Sequence, residues 1–282
     1  MVDSLSVGSL LEEAAFTSIL RILVRRHPNL PVAHIPPQLL VTWQRVAEHQ
    51  DEDAAEAAML AWCEQSADKI RTASYLVLHW VDGHYCSLVL DVEVWRRGPG
   101  AAVLQSAATA IAASTSSGVQ PSSRRKRKVP AVEWTLSTSQ ERVPFLHLDT
   151  LPDACGFAEQ ATRDTMLMRV CRVFNRFYNT AWPAAIASLP QLVHLCGPPQ
   201  QKDGWSCGYH LLWAWSRLLQ TGLPWIPQRI TEACAPMTML SVEQLVQDAR
   251  AQHQATSASA VRKTTANAGL FCYRVAGSHP RR

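Results

Sequence analysis

Two apolar stretches separated by a short turn most constrain the fold of this chain. Residues 74–80 read SYLVLHW, residues 84–94 read HYCSLVLDVEV, and the segment VDG lies between them. Runs rich in Val, Leu and aromatic residues that are bounded by a glycine-containing turn are typical of neighbouring strands. The sequence therefore predicts two strands joined by this turn.

Helical periodicity and further short apolar runs surround the two strands. Apolar residues recur at helical spacing in several segments, acidic residues begin one of them, and Gly222 closes another. Prolines at 28, 31, 36 and 37 end the first helix. The pattern indicates an α+β fold, with helices at 9–24, 51–65, 157–178 and 208–220 and further strands at 144–149 and 191–195.

Composition excludes several classes of protein. The chain has 282 residues, of which 47% are hydrophobic, and 10 of them are Trp, which is typical of one large globular domain with a sizeable core. No apolar run reaches the roughly 18–20 residues that a membrane helix needs. Acids stand near the N-terminus where a secretion signal would carry bases, so no export signal is predicted. The net charge of +4 is too small to indicate nucleic-acid binding by itself.

A segment of different character interrupts the predicted domain at about 96–142. It is rich in Ala, Ser and Thr and ends in the basic run RRKRK, Arg124 to Lys128. We expect a surface insertion without its own core within a domain over 1–250, followed by a flexible tail at 251–282. The basic run fits a nuclear localisation signal, a nucleic-acid contact or a solvated charge run, and it lacks the aromatic residues that base stacking needs.

The eight cysteines are widely spaced and form no CxxC pair. Structural zinc sites need closely spaced ligands, so reduced thiols in the cytosol or nucleus are expected, without a metal or another cofactor. A metal site from His79, His84 and Cys86 is a weak alternative. His84 and Cys86 share one face of a strand, but no further close ligand follows.

Cys207 is the cysteine whose local sequence favours chemistry. It directly precedes the helix predicted at 208–220, and the dipole of a helix N-terminus favours a thiolate. Gly204 and Gly208 flank it and allow a substrate to approach the backbone closely. A buried, inert thiol is the alternative that this local context leaves open.

A cysteine nucleophile needs a base, and the base needs an orienting partner. His84 begins a predicted strand directly after a turn, and Asp149 ends the strand FLHLD. Gln201 lies six positions before Cys207. These residues form an ordered set of His, then Asp, then Cys.

Two other residues compete for these roles. Cys155 also precedes a predicted helix and is followed by glycine, but the residue six positions before it is Asp149 instead of Gln or Asn. His79 ends the strand before the turn and competes with His84 as the base. The better strand context favours His84, and a packed or exposed position is expected for His79.

Three segments together resemble the ubiquitin-like-protein-specific cysteine proteases, the SUMO-deconjugating family. In that family the catalytic His begins the second of two paired strands and is followed by an aromatic residue, as in "SYLVLHWVDGHYCSLVLDVEV". The segment "LHLDTLP" resembles the next strand, which ends in the catalytic Asp. The segment "PQQKDGWSCGYH" resembles the Gln-x5-Cys-Gly signature.

The resemblance implies a papain-like cysteine protease fold with a central mixed sheet flanked by helices. It implies Cys207 as nucleophile, His84 as general base and acid, and Asp149 as the residue that orients the imidazole. The side-chain amide of Gln201 and the backbone N–H of Cys207 would form the oxyanion hole.

The resemblance also implies the substrate class. Tyr85, Gly204, Trp205 and Gly208 would contact the Gly-Gly tail of SUMO or a related ubiquitin-like protein, and cleavage would follow that tail. Two alternatives keep the same fold: an inactive binding or scaffold module, and an acyltransferase that uses the same triad. The chain is expected in the nucleus or cytoplasm and away from membranes.

Overall fold

The computed structural model describes most of the chain, and the observations below concern those residues. They are residues 13–35, 39–40, 43, 52–81, 85–116, 140–149, 157–196, 206–234, 244–248, 250–251 and 254–255.

A five-stranded mixed sheet forms the centre of the molecule. Its strands are adjacent in the same order as in the chain. The two outer pairs are parallel, whereas the central strand runs antiparallel to both of its neighbours. The strands are β1 Val32–Ile35, β2 Tyr75–Val81, β3 Tyr85–Asp91, β4 Phe145–Asp149 and β5 Val193–Cys196.

Helices connect the strands and cover the sheet. The parallel pairs require crossover connections, and helices lie in both of them. In chain order the helices are α1 Glu13–Arg25, α2 Glu52–Gln65, α3 Ala67–Thr72, α4 Val92–Arg97, α5 Ala101–Ser116, α6 Phe157–Tyr178, α7 Leu189–Leu192, α8 Cys207–Thr221 and α9 Pro227–Ala233, with a 3₁₀ turn at Ile186–Ser188 before α7.

Apolar residues pack on both sides of the sheet. All seven residues of β3 and all five of β4 are buried, which explains why these segments read as nearly continuous apolar runs. Helices α1, α8 and α9 cover one side, here called the α8 face. Helices α2, α4, α6 and α7 cover the other, here called the α6 face. The prediction of an α+β fold with a central mixed sheet flanked by helices is confirmed.

Three local elements differ from the sequence-based prediction. The strand predicted at 84–94 ends at Asp91, because the Asp91 carboxylate accepts a hydrogen bond from the Val94 N–H at 3.0 Å and begins α4 there. The segment predicted as an insertion at 96–142 contains the helix α5, in which Ala107 is buried. Strand β1 was not predicted, since the prolines around it indicated only the end of a helix.

The two ends of the predicted insertion are joined by an ion-pair cluster. The Arg142 guanidinium donates to both carboxylate oxygens of Asp91, at 2.8 and 2.9 Å, and to Glu93 at 2.6 Å. The backbone N–H of Asp91 donates to the Pro144 carbonyl at 2.9 Å. The end of β3 and the segment before β4 are therefore held together at the base of the insertion.

Other sequence predictions fall where the chain is not described. The basic run at 124–128 lies outside the described residues, and so does nearly all of the predicted tail at 251–282. In the part of the chain that is described, no helix combines the length and apolarity of a membrane span.

Candidate active site

Cys207 is the first residue of α8, as its sequence context predicted within one residue. The Ser206 carbonyl accepts the first hydrogen bond of this helix, from the His210 N–H at 3.0 Å. The backbone N–H of Cys207 thus belongs to the first turn, where N–H groups lack partners within the helix. The Cys207 side chain is buried, and only 3% of the residue is exposed. A nucleophile here would sit at the positive end of the helix dipole.

Four other cysteines have environments that oppose a thiolate. Burial raises the pKa of the Cys63, Cys171 and Cys234 thiols to about 12. Burial also raises the pKa of Cys196, and the neighbouring Cys234 adds to this shift. All four are therefore packed thiols at neutral pH.

Asp149 occupies the position that the sequence predicted, at the end of β4. It is fully buried and lies opposite Cys86 in the antiparallel pairing of β3 with β4. Cys86 is the second residue of β3, so Asp149 lies at the end of the sheet where β3 begins. A buried carboxylate at this position can accept a hydrogen bond from an imidazole N–H.

Tyr85 is the first residue of β3 and packs beneath α1. Its ring lies 4.8 Å from the ring of Phe16, centroid to centroid, and the residue is only 6% exposed. Tyr85 and Cys207 belong to the same core cluster, which also contains Leu148, the residue before Asp149. Gly208 is buried in the first turn of α8. Contact of Tyr85 and Gly208 with a substrate stays a prediction.

Several predicted site residues lie outside the described residues. They are His84, Gln201, Gly204 and Trp205, together with the competing nucleophile Cys155. The described parts of the site are therefore the start of β3, the end of β4 and the start of α8. Helix α8 packs directly on β3, and β3 pairs with β4.

His79 is packed, which is one of the two positions that its sequence context led us to expect. It is fully buried, and its Nδ1 lies 2.6 Å from the hydroxyl oxygen of Ser87. The Trp215 indole N–H donates to the same oxygen at 3.1 Å. Burial lowers the pKa of His79 well below its ordinary value, and His34 lowers it further. The imidazole is neutral at physiological pH and serves as a hydrogen-bonded core residue.

Sequence reasoning missed the hydrogen-bonded pair of Ser87 and Trp215. Each residue looks like an ordinary member of an apolar run, since Ser87 lies within β3 and Trp215 on the buried face of α8. Only the packing of α8 on β3 brings the two side chains together. No local pattern could have indicated this contact.

Histidine, cysteine and acidic side chains do not assemble into a metal site in the described part of the chain. No group of three or more of them has a suitable arrangement there. His79 and Cys86, two members of the weak alternative site, occupy adjacent strands, and the third member, His84, lies outside the described residues.

Comparison with known proteins gives two distant structural neighbours. No family model and no curated protein matches the chain. The chain is similar to the Xanthomonas campestris effector protein XopD, solved bound to ubiquitin, with a TM-score of 0.39 and 15% identity over 82% of this chain and 92% of that one. It is also similar to a de-sumoylating protease, with a TM-score of 0.35 and 11% identity over 89% of this chain and 75% of that one.

Proposed function

We propose that this protein is a cysteine protease that cleaves after the C-terminal Gly-Gly of SUMO or a related ubiquitin-like protein. The observation that carries the proposal is that α8 packs on β3 and that Asp149, at the end of β4, lies opposite the start of β3. Cys207 begins α8, Asp149 ends β4, and His84 immediately precedes β3 in the sequence. The order and residue types match the three motifs of the SUMO-deconjugating family.

In the proposed reaction, the Cys207 thiolate attacks the carbonyl carbon of the terminal glycine. His84 takes the thiol proton and passes it to the leaving amine, so that a thioester and a free amine form. Asp149 accepts a hydrogen bond from the imidazole and holds its tautomer. Water then attacks the thioester, which releases the modifier's carboxylate and restores the thiol.

Charge on the substrate oxygen develops in both steps. The Cys207 backbone N–H, in the first turn of α8, and the Gln201 side-chain amide are the proposed donors to this oxygen. One such donor is typically worth about 3 kcal/mol of transition-state stabilisation. Gly204, Trp205, Tyr85 and Gly208 are the proposed contacts for the substrate's Gly-Gly tail.

Ubiquitin-like modifiers with C-terminal vinyl sulfone groups test the proposal directly. We expect one modifier to form a covalent adduct with the wild-type protein and none with Cys207→Ala. Cys171→Ala, which removes a packed thiol, is the matched control and should label normally. Labelling that survives Cys207→Ala and is lost in Cys155→Ala would assign the nucleophile to Cys155 instead.

The same assay separates the two alternative functions. A protein that binds a modifier without labelling, and whose Cys207 shows no heightened reactivity with a small thiol reagent, is a binding module. A protein that labels, and whose unlabelled form transfers an acyl group from a separate acyl donor through a Cys207 thioester to a hydroxyl or amine, is an acyltransferase. We also propose that the protein is nuclear or cytoplasmic and that residues 124–128 act as a nuclear localisation signal. Microscopy of a fluorescent fusion tests this, by comparing the location of the wild-type sequence with that of a variant in which residues 124–128 are replaced.

A further inference from the structure

A cavity of about 320 Å³ lies beside β1, at the outer edge of the described sheet. Its lining residues come from α1, β1, α2 and α3. Apolar side chains line part of it, and cationic side chains with one imidazole line the rest. The lining residues are Leu20, Val24, Val32 and Trp62, and Arg21, Arg25, His34 and Lys69.

The cavity concentrates positive charge. Arg21 and Arg25 are four residues apart on α1, a spacing at which like charges repel and destabilise a helix. Lys69 approaches from α3. Among the described residues that line the cavity there is no Asp or Glu, and none of the three cations forms an ion pair within the described part of the chain. An anionic ligand would relieve this repulsion.

His34 lies on the wall of the same cavity. Its Nε2 atom is buried and has no hydrogen-bond partner within the described structure. Buried polar atoms are nearly always paired, so an orphaned one needs an explanation. Burial, followed by the charges of Arg21 and Lys69, lowers the pKa of His34 to about 3. The imidazole is therefore neutral, and it experiences the positive potential of the cavity.

We propose that this cavity binds a small organic anion through its phosphate, sulfate or carboxylate group. The cations would hold the charged group by charge-assisted hydrogen bonds, and the apolar wall would cover the ligand's carbon skeleton. The volume lies at the lower end of the range for small-molecule sites, roughly 300–1,000 Å³. No lining residue belongs to the proposed catalytic set, so the site is independent of the protease proposal.

Calorimetric titration with phosphate, pyrophosphate and citrate, at constant ionic strength, tests this site. We expect saturable binding of at least one of these anions with a Kd below about 1 mM. Arg21→Gln and Lys69→Gln should each weaken it about tenfold. Arg26→Gln is the matched control, because Arg26 lies on the same helix end but pairs with Asp248 outside the cavity.

The results distinguish a specific anion-binding site from nonspecific attraction of anions by surface cations. Tighter binding of the phosphates assigns a phosphoryl ligand, and tighter binding of citrate assigns a carboxylate ligand. No saturable binding, or an equal loss in Arg26→Gln, overturns the proposal.

A measurement on the wild-type protein makes the test independent of the variants. Imidazole ¹⁵N spectra should show a shift of the His34 ring resonances on addition of the anion. His194, on β5 at the other edge of the described sheet, should not respond. An unmoved His34, or equal shifts at both residues, would contradict the proposed site.

Discussion

The side-chain contacts on the two faces of the sheet are of different kinds. The α8 face, which carries Cys207, contains a buried polar contact of His79, Ser87 and Trp215. The α6 face is closed by aromatic packing around Trp95, and its ion pairs lie outside this packing, between α2 and α6. The comparison shows that neutral hydrogen-bonded side chains lie beneath α8, whereas ring packing and buried charged groups such as Glu56 and Arg169 lie on the opposite side.

On the α8 face each polar group depends on its partner. The Ser87 hydroxyl bridges the His79 imidazole and the Trp215 indole, and all three side chains are excluded from water. Because a buried polar group without a partner costs free energy, the position of α8 on β3 is tightly specified. This helix begins with Cys207, so the hydrogen bonds also fix the helix that presents the proposed nucleophile.

On the α6 face the dominant contacts are between rings. Trp95 is fully buried, stacks on Trp182 at 5.3 Å and meets Phe145 edge-on at 5.0 Å. The Trp182 indole also donates to the Trp95 carbonyl at 2.9 Å. Outside this packing, Arg172 of α6 pairs with Glu52 of α2 at 3.0 Å. Apolar contact area therefore contributes much of the stability of this face.

The largest expected effect is that of Trp95→Ala on the α6 face. Truncation removes the stacked and edge contacts and leaves a cavity, so the free energy of unfolding should fall by about 3–5 kcal/mol. Urea denaturation followed by circular dichroism measures the loss, and Trp95→Phe is the control that retains a ring. A loss under about 1 kcal/mol would contradict the central role of this packing.

Ser87→Ala should have the next largest effect, on the α8 face. The change leaves the Trp215 N–H and the His79 Nδ1 without their shared partner, at a cost of about 1–3 kcal/mol. The double variant Ser87→Ala with Trp215→Phe removes both sides of one hydrogen bond. Its cost should be less than the sum of the two single costs, and simple additivity would show that the bond contributes nothing.

The half-buried His34 predicts that the α8 face is sensitive to acid. The pKa of His34 is lowered to about 3, so below pH 6.5 the unfolded chain binds a proton that the folded protein excludes. Stability from this residue is present above pH 6.5 and is lost as the pH falls toward 3, by up to about 1.4 kcal/mol per pH unit.

Comparison of the wild type with His34→Gln isolates this contribution. The difference in unfolding free energy between the two proteins should be constant above pH 7. Below pH 6 the wild type should lose stability faster than the variant, and urea titrations at each pH measure the difference. Parallel curves down to pH 4 would contradict a neutral buried His34.

Much of the fold could be predicted from short-range patterns. The apolar runs of β2, β3 and β4 and the periodicity of α6 and α8 are local signals, and the structure has all five elements. Local signals failed where a competing interaction decides the outcome. Asp91 caps a helix inside a run that otherwise favours a strand, and β1 forms between prolines because β2 offers it a parallel partner.

The candidate site also has features that local sequence predicts and features that depend on tertiary contacts. The positions of Asp149 at a strand end and Cys207 at a helix start follow from their flanking sequence, and the structure has them there. The contact of Ser87 with Trp215 and the cavity around His34 depend on helices packing against distant strands. Sequence spacing carries no information about such contacts, so they could only be found in the folded chain.

The smallest expected effect tests the end of α6, where backbone conformation rather than ring packing contributes. Asn179 has a φ of 55°, in the left-handed region, and the Thr180 N–H closes the helix by donating to the Asn175 carbonyl at 2.9 Å. Asn179→Ala should lower the free energy of unfolding by about 1 kcal/mol, because a Cβ without a polar side chain disfavours this conformation. Asn179→Gly should be neutral or slightly stabilising, since glycine adopts it freely. The side chain is exposed, so the pair of variants reports mainly on the backbone contribution. Equal stabilities for the Ala and Gly variants in urea denaturation would show that the left-handed conformation at this cap contributes nothing to the stability of the α6 face.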